Sequence, residues 1–129
     1  MNDRPIRIAV VGTGYVGLTT GACFAHLGHQ VVCADIDERK VDLLNAGHIP
    51  IVEEGLESIV NAARAAGLLE FVLGAETAAR GADIVLLCVP TPQGDDGSAD
   101  LSYIQAAAAQ IAPVLEPGAI VVIKSTVPV

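Results

Sequence analysis

Three glycines at fixed spacing follow an aliphatic run near the start of this 129-residue chain. Residues 6–11 are apolar and rich in β-branched side chains, a pattern typical of a buried strand. The run leads into Gly12-Thr13-Gly14-Tyr15-Val16-Gly17, and small and apolar residues then recur at helical spacing as far as Leu27. A GxGxxG sequence between a strand and a helix is the context of a dinucleotide-binding turn. These residues therefore predict a strand, a turn and a helix that bind a pyrophosphate.

Each glycine of the motif has its own predicted role in such a turn. Gly12 makes the tight turn, Gly14 lets the backbone approach the pyrophosphate, and Gly17 lets the helix pack closely on the sheet. The first N–H groups of the helix, together with its dipole, then face the phosphates. The alternative is a glycine-rich turn that binds no ligand.

A carboxylate ends the second predicted strand. Asp35 lies eighteen residues after Gly17, where an acid accepts hydrogen bonds from ribose hydroxyls. Its charge also repels a 2′-phosphate, which favours NAD over NADP as the cofactor, although the nearby cations Arg39 and Lys40 weaken this argument. The alternative for Asp35 is an ordinary capping role without a ligand.

Strand and helix patterns alternate along the chain. Strands are predicted at residues 6–11, 30–35, 69–73, 84–89 and 119–123, and helices at residues 15–27, 38–46, 56–66, 76–80 and 101–115. This order predicts an α/β fold with a Rossmann-type doubly wound parallel sheet and helices on both faces. Asp37 and Asp100 are expected to cap the helices that follow them. The apolar face of the last helix is expected at Leu101, Ile104, Ala108, Ile111 and Leu115.

The balance of charge argues against one class of partner. Seven basic against fifteen acidic residues give a net charge of −8, which is unsuited to binding nucleic acid through a basic surface. An anionic ligand must then be bound by backbone N–H groups at a helix N-terminus. No apolar run reaches the length that spans a membrane, and the polar first residues do not resemble a signal peptide, so no membrane partner is expected.

The three cysteines, Cys23, Cys33 and Cys88, are widely spaced and form no CxxC pair. Neither a disulfide framework nor a metal site is expected from this spacing. All three lie in apolar runs and are expected to be buried structural thiols, which fits a cytoplasmic protein.

Two polar loops follow the fourth and fifth predicted strands. In a doubly wound sheet the first and fourth strands are neighbours, and ligands lie beyond their carboxyl ends. Thr91, in Pro90-Thr91-Pro92, therefore either contacts the cofactor or is solvated in a rigid turn. The second loop is Lys124-Ser125-Thr126-Val127-Pro128, and its hydroxyls either contact the nicotinamide end or the substrate, or are ordinary polar loop groups.

Several segments together resemble the UDP-glucose/GDP-mannose dehydrogenase family, in the right order and over essentially the whole chain. They are residues 12–18, Asp35-Ile36-Asp37 with Lys40-Val41, residues 50–56, Cys88-Val89-Pro90-Thr91-Pro92, residues 100–103 and Lys124-Ser125-Thr126-Val127-Pro128. Within the family, residues 97–103 are most similar to the UDP-glucose 6-dehydrogenases.

The resemblance implies an activity and a set of cofactor contacts. Enzymes of the family oxidise the C6 alcohol of a sugar nucleotide to a carboxylate, reducing two NAD. The resemblance implies contacts to the pyrophosphate from Tyr15 and Val16, to the adenosine ribose from Asp35 and Lys40, and to the nicotinamide side from Thr91 and Thr126. Thr126 also matches a threonine that positions water near the reacting carbon. Glu53 falls in a loop beneath the cofactor, and Glu54 departs from the proline usual there.

One expected element is missing from these residues. The nucleophilic cysteine of the family lies in a later glycine-rich segment followed by Pro-Lys-Asp, a context that no cysteine here shares. Residues 1–129 are therefore expected to be the NAD-binding domain of a longer protein. Its central helix, its sugar-nucleotide domain and its contacts as a homodimer or larger oligomer would follow Val129.

Three alternatives remain open. The chain also resembles the corresponding NAD-binding domains of GDP-mannose and UDP-N-acetylmannosamine dehydrogenases. These enzymes differ from UDP-glucose 6-dehydrogenases in the pocket that binds the sugar. A Rossmann domain can also serve as a non-catalytic NAD sensor, because a fold does not determine a function. A hydroxyacid dehydrogenase shares the glycine motif, but the Pro-Thr-Pro and Ser-Thr-Val-Pro loops argue against it.

Overall fold

The computed structural model describes residues 5–125, which form a five-stranded sheet with every neighbouring pair of strands parallel. The strands are β1 (Arg7–Val11), β2 (Gln30–Asp35), β3 (Leu69–Leu73), β4 (Ile84–Leu87) and β5 (Ile120–Ile123). Their spatial order is β3-β2-β1-β4-β5, so the chain changes direction across the sheet between β1 and β4. The predicted doubly wound parallel sheet is confirmed.

Helices cover both faces of the sheet. They are α1 (Tyr15–His26), α2 (Glu38–Asn45), α3 (Leu56–Ala65), α4 (Ala75–Ala79) and α5 (Ser102–Ile111), with a 3-10 turn at Ala112–Val114. The buried residues of α1, α2 and α3 pack on one face, and those of α4 and α5 pack on the other. None of the helices within residues 5–125 is long and apolar enough to cross a membrane.

The central strand β1 contributes to both cores. Because successive side chains of a strand point to opposite faces, Ile8 and Val10 join the core under α1 to α3, while Ala9 and Val11 join the core under α4 and α5. A strand covered on both faces has an unbroken aliphatic sequence instead of alternating apolar and polar residues.

The first and second helices begin as the sequence predicted. The Asp37 side chain caps α2 by accepting hydrogen bonds from the N–H groups of Arg39 and Lys40. The predicted cap at Asp100 is one residue out of place, because Leu101 is the N-cap of α5 and Asp100 accepts the N–H of Ser102 in a local turn.

Two further expectations were wrong in detail. The strand predicted to reach Val89 ends at Leu87, because its partner β1 turns away at Gly12. Ala108 lies exposed on α5, and Ala107 is buried between Ile104 and Ile111. In a run of four alanines, apolarity does not indicate which side chain faces the core.

Candidate cofactor-binding site

A cavity of about 570 Å³ opens beyond the carboxyl ends of β1, β2 and β4. This is the point where the strand order reverses, which is where ligands bind in open α/β sheets. The volume lies within the range of small-molecule sites. The walls come from the Gly12–Val16 turn, the end of β2, the start of α2, the loops after β4 and β5, and α5. They include Gly14, Asp35, Lys40, Thr91, Tyr103 and Ser125.

Gly12 and Gly17 are required by packing between the turn, α1 and β4. Gly12 has φ +105°, and a Cβ there would lie 2.6 Å from the carbonyl oxygen of Cys88. The Gly12 N–H donates to the carbonyl oxygen of Ala34 over 2.7 Å. A Cβ at Gly17 would lie 1.9 Å from the carbonyl oxygen of Gly12. The two glycines therefore bring the turn, α1 and the end of β4 into close contact.

Gly14 has different surroundings. A Cβ at Gly14 would meet no atom within 4 Å, and its backbone is extended with φ −72° and ψ −168°. Gly14 is the N-cap of α1 and has no side chain to bind the first helical N–H groups, which leaves them available to a ligand. The space over Gly14 belongs to the cavity, so the site fits an anionic group lying close to the backbone.

Asp35 is held at the end of β2 by the turn beside it. One carboxylate oxygen accepts the Thr13 hydroxyl over 2.5 Å and the Thr13 N–H over 3.1 Å, and the other accepts the Asp37 N–H over 3.0 Å. Burial raises the pKa of Asp35, but these hydrogen bonds and the charge of Lys40 outweigh it and hold the pKa below its usual value. Asp35 is therefore ionised at neutral pH and presents a negative charge to the cavity.

Tyr15 connects the glycine turn to the loop between α2 and α3. Tyr15 is 56% exposed and lies on the cavity wall, and its hydroxyl donates to Glu53 over 3.1 Å. The hydrogen bond with Glu53 and the negative charge there raise the pKa of Tyr15. The loop containing Glu53 thus touches the cavity wall through Tyr15.

The two loops after β4 and β5 also reach the cavity. Thr91 and Lys124 lie on its wall, and the Ser125 hydroxyl donates to the carbonyl oxygen of Val89 over 2.6 Å. This hydrogen bond joins the two loops side by side. Thr126, which the sequence placed at the nicotinamide side, lies outside the described residues.

Comparison with known proteins identifies the family. A sequence model described as "UDP-glucose/GDP-mannose dehydrogenase family, NAD binding domain" matches residues 6–129. The chain belongs to this dehydrogenase family. It corresponds to the NAD-binding domain, and the predicted cofactor, NAD, is confirmed.

Individual relatives share both sequence and structure with the chain. It is 49% identical to the UDP-glucose 6-dehydrogenase of Rhizobium meliloti, over 96% of this chain and 29% of that protein. It is 45% identical to the UDP-N-acetyl-D-mannosamine dehydrogenase of Salmonella typhimurium, over 95% of this chain and 28% of that protein. The structure of a UDP-glucose dehydrogenase from Pyrobaculum islandicum matches with a TM-score of 0.90 at 40% identity, over 97% of this chain and 30% of that one. The chain thus spans less than a third of the length of these relatives.

The three cysteines of this family member are free thiols that differ in burial. Burial raises the pKa of the Cys33 thiol to about 12. Burial also raises the pKa of the half-buried Cys88 thiol, although the charge of Lys124 opposes the change. Cys23 lies exposed on α1, so the expectation that all three cysteines are buried was wrong. No group of three or more His, Cys, Asp or Glu side chains within residues 5–125 is placed to hold a metal ion.

Sequence reasoning missed two parts of the cavity wall. No role was predicted for Thr13 from the sequence, although a hydroxyl just beyond the end of one strand can reach an acid that ends the neighbouring strand. Tyr103, Ala106 and Gln110 of α5 also line the cavity. Their spacing of three and four residues places them on one helix face, which was the available signal.

Proposed function

We propose that this chain binds NAD for a UDP-glucose 6-dehydrogenase whose sugar-nucleotide site lies in further domains of the same protein. That enzyme would oxidise UDP-glucose to UDP-glucuronate with two NAD. The NAD supplies a hydride acceptor, and the chain supplies binding and orientation. Higher identity to a UDP-glucose 6-dehydrogenase, 49% against 45%, favours this substrate over UDP-N-acetyl-D-mannosamine.

One observation carries the proposal for the site. The open space over Gly14, the uncapped N-terminus of α1 and the ionised Asp35 all face the same cavity. A pyrophosphate fits the first two features, because helix N-terminal N–H groups favour an anion. An adenosine ribose fits the third, because a carboxylate accepts hydrogen bonds from its hydroxyls.

Each predicted site residue then has a proposed role. Gly12, Gly14 and Gly17 form the pyrophosphate turn, Tyr15 and Val16 flank the pyrophosphate, Asp35 and Lys40 bind the adenosine ribose, and Thr91 lies at the nicotinamide side. For Thr126, contact with the nicotinamide side and the positioning of a water stay predictions from the family resemblance.

The rest of the reaction is assigned to residues beyond this chain. Formation of a thioester from the aldehyde stage needs a thiolate beside the substrate, and the raised pKa values of Cys33 and Cys88 disfavour one there. Three free cysteines support a cytoplasmic location for the protein. A homodimer or larger oligomer of the full-length protein is proposed from the family resemblance alone, and the net charge of −8 supports the absence of a nucleic-acid partner.

The substrate proposal is tested with the full-length protein and three sugar nucleotides. We expect about two NADH per UDP-glucose oxidised, and slower turnover with GDP-mannose and UDP-N-acetyl-D-mannosamine, followed by NADH absorbance. This chain alone should bind NAD and form no NADH from UDP-glucose, because nothing holds the sugar C6 at the nicotinamide. Faster turnover of another sugar nucleotide would mean that this sugar nucleotide, and not UDP-glucose, is the substrate. NAD binding without turnover of any substrate by the full-length protein would favour a sensor.

A further inference from the structure

We propose that the Thr13 hydroxyl positions Asp35 for the adenosine ribose, so that the preference for NAD over NADP depends on Thr13. Thr13 does not need to touch the cofactor for this role, since it acts through the carboxylate. The inference rests on the proposed ribose contact of Asp35 and goes beyond it by naming the residue that sets the orientation of the acid.

Thr13 is a buried polar side chain in the glycine turn. It is only 4% exposed and is the one buried polar residue identified within residues 5–125. A buried hydroxyl needs a hydrogen-bond partner, because an unmade bond costs free energy. The partner here is Asp35, at 2.5 Å from the hydroxyl. Sequence positions 13 and 35 are brought together because β1 and β2 are adjacent parallel strands that end at the same edge.

The hydrogen bonds already present leave one side of the carboxylate for a ligand. A carboxylate accepts about four hydrogen bonds. The Thr13 N–H and hydroxyl both donate to Oδ2, and the Asp37 N–H donates to Oδ1. The remaining acceptor capacity therefore lies mainly on Oδ1. The terminal torsion of an aspartate side chain takes a broad range of angles. The two hydrogen bonds from Thr13 hold the carboxylate in one orientation before a ligand binds.

The groups around Asp35 keep its carboxylate ionised. Lys40 of α2 lies on the same cavity and lowers the pKa of Asp35, while the Asp37 carboxylate is directed to the N–H groups that start α2. On the α1 side, the cavity wall carries Tyr15, whose hydroxyl donates a hydrogen bond to Glu53. The Thr13 hydroxyl lowers the pKa of Asp35 further. Removing this hydroxyl should raise the pKa, so protonation would begin at a higher pH.

The test compares Thr13→Val, which keeps the shape and removes the hydroxyl, with Thr13→Ser, which keeps the hydroxyl. Calorimetric titrations of each variant with NAD and with NADP are run over a series of pH values. We expect Thr13→Val to bind NAD about tenfold more weakly, because a misoriented Asp35 carboxylate would form roughly one charge-assisted hydrogen bond fewer with the ribose. Its NADP affinity should change by less than about twofold, since the 2′-phosphate does not use Asp35 as an acceptor.

The pH profile separates positioning from packing. In Thr13→Val, the fall of NAD affinity on acidification should begin at a higher pH than in the parent chain, and Thr13→Ser should restore the parent profile. Urea unfolding of all variants shows whether the fold is intact. If Thr13→Ser loses NAD affinity and stability as Thr13→Val does, the side chain only packs and the inference is wrong.

A third variant, Asp35→Asn, distinguishes failure of this inference from failure of the proposed site. If Asp35→Asn removes the preference for NAD and Thr13→Val does not, the ribose contact stands and the positioning role of Thr13 is wrong. If neither variant changes the preference, Asp35 does not bind the ribose and both proposals fail.

Discussion

Gly14 and Gly17 belong to one motif but have opposite surroundings. The Cβ position at Gly14 points into empty space, whereas the Cβ position at Gly17 lies 1.9 Å from a backbone oxygen. Gly17 is therefore needed for the fold, and Gly14 is needed only if a ligand occupies the space above it. The sequence motif alone does not separate these two reasons for glycine.

Substitution Gly14→Val should abolish NAD binding while the chain stays folded. The added side chain fills the space proposed for the pyrophosphate, and the extended backbone at Gly14 tolerates it. The free energy of unfolding should fall by only about 1 kcal/mol, mainly from the weaker N-cap. Calorimetry with NAD and urea unfolding measure the two effects.

Substitution Gly17→Ala is the matched control at the same turn. Its Cβ would collide with the carbonyl oxygen of Gly12, so we expect a loss of about 3 kcal/mol or more in the free energy of unfolding. Normal NAD binding by Gly14→Val would show that the glycine turn is not the phosphate site.

At the scale of single elements, α5 shows where a sequence pattern fails. Ile104, Ala107 and Ile111 face the sheet, and Ala108 faces outward. The error arose because residues 106–109 are all alanine. Every side chain in that run is equally small and apolar, so only the packing of α5 against α4 and the sheet decides which one is buried.

Substitutions at these two alanines test the orientation of α5. Ala107→Glu places an unpaired charge in the core beside Ile111 and should cost more than about 2 kcal/mol of unfolding free energy. Ala108→Glu should change it by no more than about 0.5 kcal/mol, because the position is exposed and glutamate is a good helix former. Urea unfolding measures both. Equal effects would mean that α5 is rotated from the described position.

At the scale of the whole molecule, local sequence patterns predicted most of the fold. The five strands and the glycine turn were predictable because β-branched runs, glycines and a capping Asp37 act over a few residues. The contacts that define the site join distant positions, as Thr13 does with Asp35 and Tyr15 with Glu53. Such pairs depend on side-chain orientation after the strands have assembled, which local sequence patterns do not specify.

The exposure of β5 also could not be predicted from the local sequence. All four residues of β5 are exposed aliphatic side chains, between 38% and 57% exposed. A periodicity of apolar residues predicts a buried strand equally well for the centre and for the edge of a sheet. Only the strand order shows that β5 lies at the edge of the sheet formed by residues 5–125, where its one neighbour is β4.

NAD binding in this cavity and the exclusion of the 2′-phosphate of NADP by Asp35 are tested by one experiment. The most direct measurement is calorimetric titration of this chain with NAD and with NADP under identical conditions. We expect NAD to bind at least about tenfold more tightly, a difference of about 1.4 kcal/mol, because the ionised carboxylate attracts the ribose hydroxyls and repels a phosphate. Equal affinities for the two dinucleotides would contradict the role of Asp35, and no binding of either would contradict the site itself.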